Sequence, residues 1–160
     1  MSGFNFEFDK LLTKINHNMT KLEEKTLCVD RNLNLTVNEL HLLECIKLNM
    51  KGEDGPTISA IATELDITRP STTVAVNKLT AKKYVEKIGC VNDGRSVRIK
   101  LTSKGEKAYS MYADYRKETA EELADCFKED ERKLLAAALD KINTFYADKL
   151  SEKEAEEFEF

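Results

Sequence analysis

The sequence is poor in the residues on which metal, redox and hydrolytic chemistry depends. It contains two histidines, and its four cysteines, at positions 28, 45, 90 and 126, form no CxxC pair. The six glycines are scattered, and no GxSxG, HExxH, dinucleotide-binding or phosphate-cradling motif occurs. We therefore expect a protein that is not an enzyme and that needs no cofactor and no metal.

Long apolar runs are missing as well. No run approaches the roughly 20 residues that a membrane span needs, and the amino terminus lacks the basic-then-apolar pattern of a signal peptide. Dispersed cysteines indicate reduced thiols in a reducing compartment. The sequence therefore predicts a cytoplasmic protein without a membrane partner. Its 160 residues, 41% apolar and 34% charged, are ordinary globular composition with enough chain for a core.

The positive charge is concentrated in one segment. Residues 68–105 carry nine basic and two acidic side chains, a charge of +7 within a chain whose net charge is −4. An acidic protein that gathers its cations in one place has a local anchor for a polyanion. The order of elements in this segment points to duplex DNA as that polyanion.

Two short helices precede and open the basic segment. Thr57 can cap a helix whose apolar residues recur at helical spacing from Ile58 to Leu65. After a brief turn, Thr68 can cap the next helix, and Pro70 is tolerated in its first turn. Thr72, Val76 and Leu79 then face inward. Such a pair of helices is a helix-turn-helix.

The second of these helices presents a polar surface suited to a major groove. Ser71, Thr73 and Asn77 are the candidates for base discrimination, since hydroxyl and amide groups can bond to base edges. Cations beside them and on the wing would contact the phosphate backbone. The full set of candidate DNA-binding residues is Thr68, Arg69, Pro70, Ser71, Thr73, Asn77, Lys78, Lys82, Asp93, Arg95 and Arg98.

A two-stranded wing is predicted to follow. Apolar Val97, Ile99 and Leu101 alternate with basic Arg98 and Lys100, which is the pattern of a half-buried strand with a basic outer face. Residues 85–91 should pair with this strand, and the Asn-Asp-Gly run at 92–94 supplies the turn. Arg95 at the tip can then reach a phosphate or a minor groove, and Asp93 can orient it.

This sequence resembles the MarR family of bacterial transcriptional regulators. The resemblance lies in ThrArgProSerThrThr…AsnLysLeu (68–79), TyrValGluLys (84–87) and AspGlyArg…LeuThrSerLysGly (93–105). It implies a mainly α fold with a small β wing, and a homodimer whose first and last helices interlock. Two winged helices would then face successive major grooves of double-stranded DNA. The family usually has Gly after the recognition helix, where this chain has Lys83, which leaves the geometry of that helix end open.

Apolar stripes outside the winged helix favour a dimerisation scaffold. They lie on a first helix from Phe8 to Leu22, on a long helix starting near Ser103, and on the last helix. The alternative is a bundle within one chain. We predict an N-terminal dimerisation helix (1–34), a winged helix-turn-helix (35–102), C-terminal dimerisation helices (103–150) and a fraying acidic tail (151–160).

Effector binding is less constrained by the sequence. His41 and Cys45 lie four residues apart on one helix face, where a metal site shared with another chain is conceivable, and Cys28 is a candidate redox sensor. Ordinary burial is the favoured interpretation of these residues. A third alternative is a winged helix that binds an acidic protein partner rather than DNA.

A narrower resemblance concerns the run AsnGluLeuHisLeuLeu (38–43) and the pattern Thr73…Asn77…Leu79…Tyr84. This run and this pattern are similar to those of repressors of bacterial fatty-acid synthesis genes. The resemblance implies a small-molecule effector of acyl type, free or carried on acyl carrier protein. His41, Cys45 and Met111 would line its pocket, although plain core packing also explains them.

Overall fold

The computed structural model describes residues 3–30, 33–52, 54–89 and 97–158. It confirms a mainly helical fold with a small β wing. Helix α1 (Gly3–Glu23) continues into a π-helical segment (Glu24–Asp30). The elements that follow are α2 (Val37–Leu48), α3 (Ile58–Glu64), α4 (Arg69–Ala81), β1 (Val85–Gly89), β2 (Val97–Leu101), α5 (Ser103–Asp125) and α6 (Glu129–Phe158).

The chain forms two compact units, Met1–Asp114 and Tyr115–Phe160. The winged helix-turn-helix lies within the first unit. Its core consists of apolar side chains from α2, α3, α4, the two strands and the first part of α5. The fully buried members include Leu40, Leu43, Ile46, Ile61, Val76, Leu79, Ile99 and Tyr112.

Threonines cap three helices of this unit, and the sequence predicts the caps at Thr57 and Thr68. The side chains of Thr36, Thr57 and Thr68 accept hydrogen bonds from backbone N–H groups in the first turns of α2, α3 and α4. At Thr36 the cap is reciprocal, because the Glu39 carboxylate accepts from the Thr36 N–H at 2.8 Å. Each helix start is therefore fixed by a local hydrogen bond.

Both helices of the helix-turn-helix end in a left-handed residue that is not glycine. Asp66 has φ 50° and Lys83 has φ 64°. After α4, the N–H of Tyr84 bonds to the carbonyl of Leu79 at 2.9 Å and that of Lys83 to Thr80 at 3.0 Å, the paired bonds of a Schellman motif. The left-handed helix end is thus kept with lysine in place of glycine.

The strands pair antiparallel, from Val85 opposite Leu101 to Gly89 opposite Val97. Ile99 and Leu101 are buried, as predicted. Val97 is 42% exposed, so the prediction that it faces inward is wrong. Val97 lies at the end of the described strand that is away from the core. A side chain at an inward position there has no core residues to pack against.

Two glycines allow close approaches that hold the wing in place. The N–H of Ile99 bonds to the Pro56 carbonyl at 2.9 Å, and a Cβ on Gly55 would lie 1.8 Å from the Ile99 carbonyl oxygen. A Cβ on Gly105, in the first turn of α5, would lie 2.0 Å from the Tyr84 carbonyl oxygen. Any side chain at either position would separate backbones that are in contact.

The second unit contains the end of α5 and helix α6. The Arg132 guanidinium stabilises the connection between them. It donates hydrogen bonds to the Phe127 carbonyl at 3.0 Å and to the Asp125 carboxylate at 3.2 Å. Helix α6 continues to Phe158, into the segment predicted as an acidic tail. Glu, Lys and Ala are strong helix formers, and they extend the helix where no apolar stripe continues.

Candidate nucleic-acid interface

Helix α4 presents the predicted polar surface. Arg69, Ser71, Thr73, Asn77 and Lys78 are all exposed, and Thr72, Val76 and Leu79 are buried on the opposite side. The caps at Thr57 and Thr68 and the turn at Asp66 fix how α4 follows α3. The geometry is that of a recognition helix supported by a rigid partner helix.

The hydroxyl groups at the start of α4 are held by local hydrogen bonds. Thr68 Oγ1 accepts from the Ser71 N–H at 3.3 Å and donates to Ser71 Oγ at 2.9 Å. Thr73 Oγ1 donates to the Arg69 carbonyl at 2.8 Å. Each hydroxyl retains acceptor lone pairs, so Ser71 and Thr73 can still accept hydrogen bonds from a partner. Pro70, which has no N–H, occupies the first turn as predicted.

A hydrogen bond joins the wing to the recognition helix. Lys87 Nζ on β1 donates to Asn77 Oδ1 at 2.6 Å, and both side chains are exposed. Both residues lie in the basic segment of the sequence, but the sequence does not predict the hydrogen bond between them. Only the packing of β1 against α4 brings them together, because they are ten positions apart in the chain.

Val74 is a surface residue that the sequence analysis missed. It is 54% exposed on α4, and at about 100° per residue it points almost directly away from the buried stripe. An exposed valine in the middle of a polar helix face is an available contact for a thymine methyl group. Its position between Thr73 and Asn77, which are both predicted on the outer face, could have identified Val74 as exposed.

Lys82 is engaged inside the unit rather than on the outer surface. Its Nζ lies 2.9 and 2.8 Å from the two carboxylate oxygens of Glu39, whose side chain is 10% exposed. Burial opposes ionisation of Glu39, but hydrogen bonds from Lys82 and Thr36 outweigh it and lower the pKa of the carboxyl. This ion pair ties the end of α4 to the first turn of α2.

Two further cations of the basic segment also pack against the fold. Arg98 is half-buried, and its Nη1 donates to the Gly55 carbonyl at 3.2 Å. Lys104 donates to the Lys82 carbonyl at 2.9 Å, and its ammonium lies 4.0 Å from the centre of the Tyr84 ring. Arg98 and Lys104 therefore hold backbone segments beside the interface, and their positive charge also lies there. Asp93 and Arg95 lie outside the described residues.

An open groove of about 520 Å³ runs between α2 and α4. Thr36, Glu39 and Leu42 line it on one side, and Ser71, Val74 and Lys78 are among the residues on the other. The groove therefore borders the outer face of the recognition helix. None of the predicted effector residues His41, Cys45 and Met111 lines it.

The residues suggested for effector or metal binding have ordinary surroundings. The His41 ring lies 6.0 Å from that of Tyr112, with Glu23 3.6 Å from its Nε2. Burial raises the pKa of the Cys45 thiol to about 11 and also raises that of Cys28. Neither thiol is therefore activated at neutral pH. Across the part of the chain that the structure describes, no three His, Cys, Asp or Glu side chains are grouped to hold a metal ion.

Comparisons with known proteins assign the class. The MarR family model matches residues 33–96, which contain the helix-turn-helix and reach into the wing. Residues 33–96 therefore match the MarR family, and the chain has the winged-helix fold of a DNA-binding transcription regulator of that type. Among the described helices, none is long and apolar enough to cross a membrane. A search of the curated proteins found no match.

Solved structures extend the likeness over most of the chain. The structure of Streptococcus pneumoniae FabT in complex with DNA superposes with a TM-score of 0.81 at 26% identity, covering 90% of this chain and 98% of that one. The Staphylococcus aureus MepR–DNA complex has a TM-score of 0.71 at 23% identity, covering 86% and 96%. MepR, described as a transcription regulator of the multidrug efflux pump MepA, has a TM-score of 0.68 at 24% identity, covering 87% and 98%.

Proposed function

We propose that this protein is a homodimeric bacterial repressor that binds a pseudo-palindromic operator in the cytoplasm and has no catalytic role. The observation that carries the proposal is the outer face of α4, where hydroxyl, amide, apolar and cationic side chains are exposed together. Each α4 would enter a major groove, with half-sites centred about one helical turn, ~10 bp, apart. The DNA complexes of FabT and MepR support this use of the fold.

The dimer is supported by apolar surface on α1. Large side chains recur along one stripe of this helix and are each 42–65% exposed in the single chain. A soluble monomer rarely leaves so much contiguous apolar surface in water, and a second copy would cover it. The stripe comprises Phe6, Phe8, Leu11, Ile15, Met19 and Leu22.

Helix α6 supports the same conclusion independently. Leu134, Leu139, Phe145, Tyr146 and Leu150 are 53–73% exposed. Deleting residues before Phe8, or those after Asp130, should therefore abolish dimerisation or folding, which light scattering would detect. A full-length chain that light scattering shows to be monomeric, or a truncated chain that remains dimeric, would contradict the dimer. The division into segments 1–34, 35–102, 103–150 and 151–160 remains part of this proposal.

For the wing we propose electrostatic anchoring by Arg95, with Asp93 orienting it. Along β2, the half-buried Arg98 and Lys100 continue the basic surface toward that tip. We further propose an acyl-type effector bound near His41, Cys45 and Met111. Its support is the narrower resemblance to repressors of fatty-acid synthesis genes and the burial of Cys45. A metal or redox effector is less well supported, because both thiols have raised pKa values.

Sequencing the genomic fragments that the purified protein retains would test the proposed function. We expect enrichment of one inverted repeat, with affinity that falls steeply as salt rises. The competing function, binding of an acidic protein partner by the basic segment, would instead give no enriched motif. It would also give a complex that survives an excess of competitor DNA.

A further inference from the structure

Val74 and Asn77 lie side by side in the middle of the outer face of α4. Residues three apart on a helix are neighbours, with Cβ atoms about 5–6 Å apart. Both side chains are exposed, Val74 to 54%. The surface that the proposed function places in the major groove therefore presents an apolar group beside an amide.

Lys87 determines which half of that amide is available to a partner. An ammonium group has three donors and no acceptor, so Lys87 Nζ can bond only to the oxygen of Asn77. The two atoms are 2.6 Å apart. With one lone pair of Oδ1 engaged in this charge-assisted hydrogen bond, the NH2 group is the part of Asn77 that has no competitor for a partner, and that group can only donate.

The base that matches this pair follows from the chemistry of the major-groove edges. The usual bidentate contact of Asn with adenine needs the amide oxygen as well as the NH2 group, and the Lys87 ammonium occupies one of the two lone pairs of that oxygen and competes with a second donor there. Guanine offers acceptors but no methyl group. Thymine offers the O4 acceptor beside the C5 methyl group, which fits a donor next to a valine.

We propose that Lys87 holds Asn77 as a hydrogen-bond donor, and that Asn77 and Val74 together select a thymine in each half-site. The inference rests on the proposed function, because it requires α4 in the major groove. Lys87 is then a positioning residue that acts through Asn77. Val74 is a contact residue for the methyl group.

The methyl contact can be tested by removing one methyl group from the DNA. Binding selection with the wild-type protein should return thymine at one position per half-site. Deoxyuridine at that position removes only the methyl group and should weaken binding about fourfold per half-site, the factor expected for one buried methyl. Val74→Ala should bind the thymine and deoxyuridine operators equally.

The positioning role can be tested by releasing the amide oxygen. Lys87→Met keeps the aliphatic stem but removes the donor, so Asn77 gains the bidentate adenine contact and the selected base should change at that position alone. Lys87→Arg keeps a donor and should keep the motif. The matched control is Lys100→Met, which removes the same charge from β2. It should weaken binding to every sequence and leave the motif unchanged.

The outcomes separate this inference from the proposed function. A wild-type protein that retains no preferred sequence would overturn both. A defined motif overturns the inference alone if deoxyuridine costs wild type and Val74→Ala the same factor, or if Lys87→Met selects the wild-type motif. Thermal melting of each variant should match that of the wild type, because all the substituted side chains are exposed or half-buried.

Discussion

The Nζ atom of Lys82 lies 2.8 Å from Oε2 of Glu39, a contact that joins the end of the recognition helix to the start of α2. Glu39 also accepts from the Thr36 N–H and so completes the cap of α2. One buried carboxylate therefore holds two helix ends. The contact between α4 and α2 therefore includes a buried charge.

Glu39→Gln should destabilise the protein at neutral pH by about 1.5–3 kcal/mol, the range for a lost hydrogen bond to a charged group. The pKa of Glu39 is lowered from its ordinary value of 4.5, so its stabilisation is present above that pH and is lost as the pH falls through the lowered pKa. Denaturant unfolding at several pH values would check this. A difference between wild type and variant that does not shrink in acid would contradict it.

Lys83→Gly should stabilise the protein by about 0.5–1 kcal/mol, because lysine at φ 64° bears a steric cost that glycine avoids. The gain is partly offset by the greater backbone entropy of glycine in the unfolded chain. Lys83→Ala is the matched control, since it removes the charge and keeps the β-carbon. Equal unfolding free energies for the two variants, at one protein concentration, would show that the backbone conformation is not the cause.

Much of the winged helix could be predicted because its determinants are local. Thr57, Thr68 and the alternation in β2 act over a few residues, so caps, helices and one strand follow from the sequence. The contacts that engage the polar side chains are not local. Lys82 meets Glu39 43 positions away, and Arg98 meets Gly55 across the same interval.

These long-range contacts change the predicted site. The sequence makes Lys78, Lys82 and Arg98 alike candidates for a DNA contact. Packing divides them, because Lys82 and Arg98 bond to groups of the fold and Lys78 is exposed on α4. Val74 was missed for a related reason: an apolar residue on a helix suggests burial, and only the placement of α4 shows it exposed.

Gly105→Ala should destabilise the protein by about 1–3 kcal/mol or more, the range for inserting a methyl group into a packed site. Its Cβ would lie 2.0 Å from the Tyr84 carbonyl oxygen, which is backbone and cannot rotate away. Gly89→Ala is the matched control, because a Cβ there meets nothing within 4 Å. Unfolding free energies measured side by side should therefore differ. Equal losses for the two variants would refute the close-approach explanation.

Arg95→Ala should weaken binding to all DNA sequences by a similar factor and lower the salt dependence by roughly one counterion per wing. The reason is that a hairpin tip gives a cation reach to the backbone but little rigid contact with bases. Affinity measured across a series of salt concentrations, for the operator and for unrelated DNA, would show both effects. A loss confined to the operator would instead indicate that Arg95 contacts a base.

Asp93→Ala separates orientation from repulsion at the same tip. The carboxylate repels DNA phosphates, but it can accept hydrogen bonds from turn amides or pair with Arg95. If orientation of the cation is the larger effect, removing this negative charge should weaken DNA binding. The double variant with Arg95→Ala should then be no weaker than Arg95→Ala alone, because nothing remains to orient. Tighter binding by Asp93→Ala at every salt concentration would establish repulsion as the larger effect.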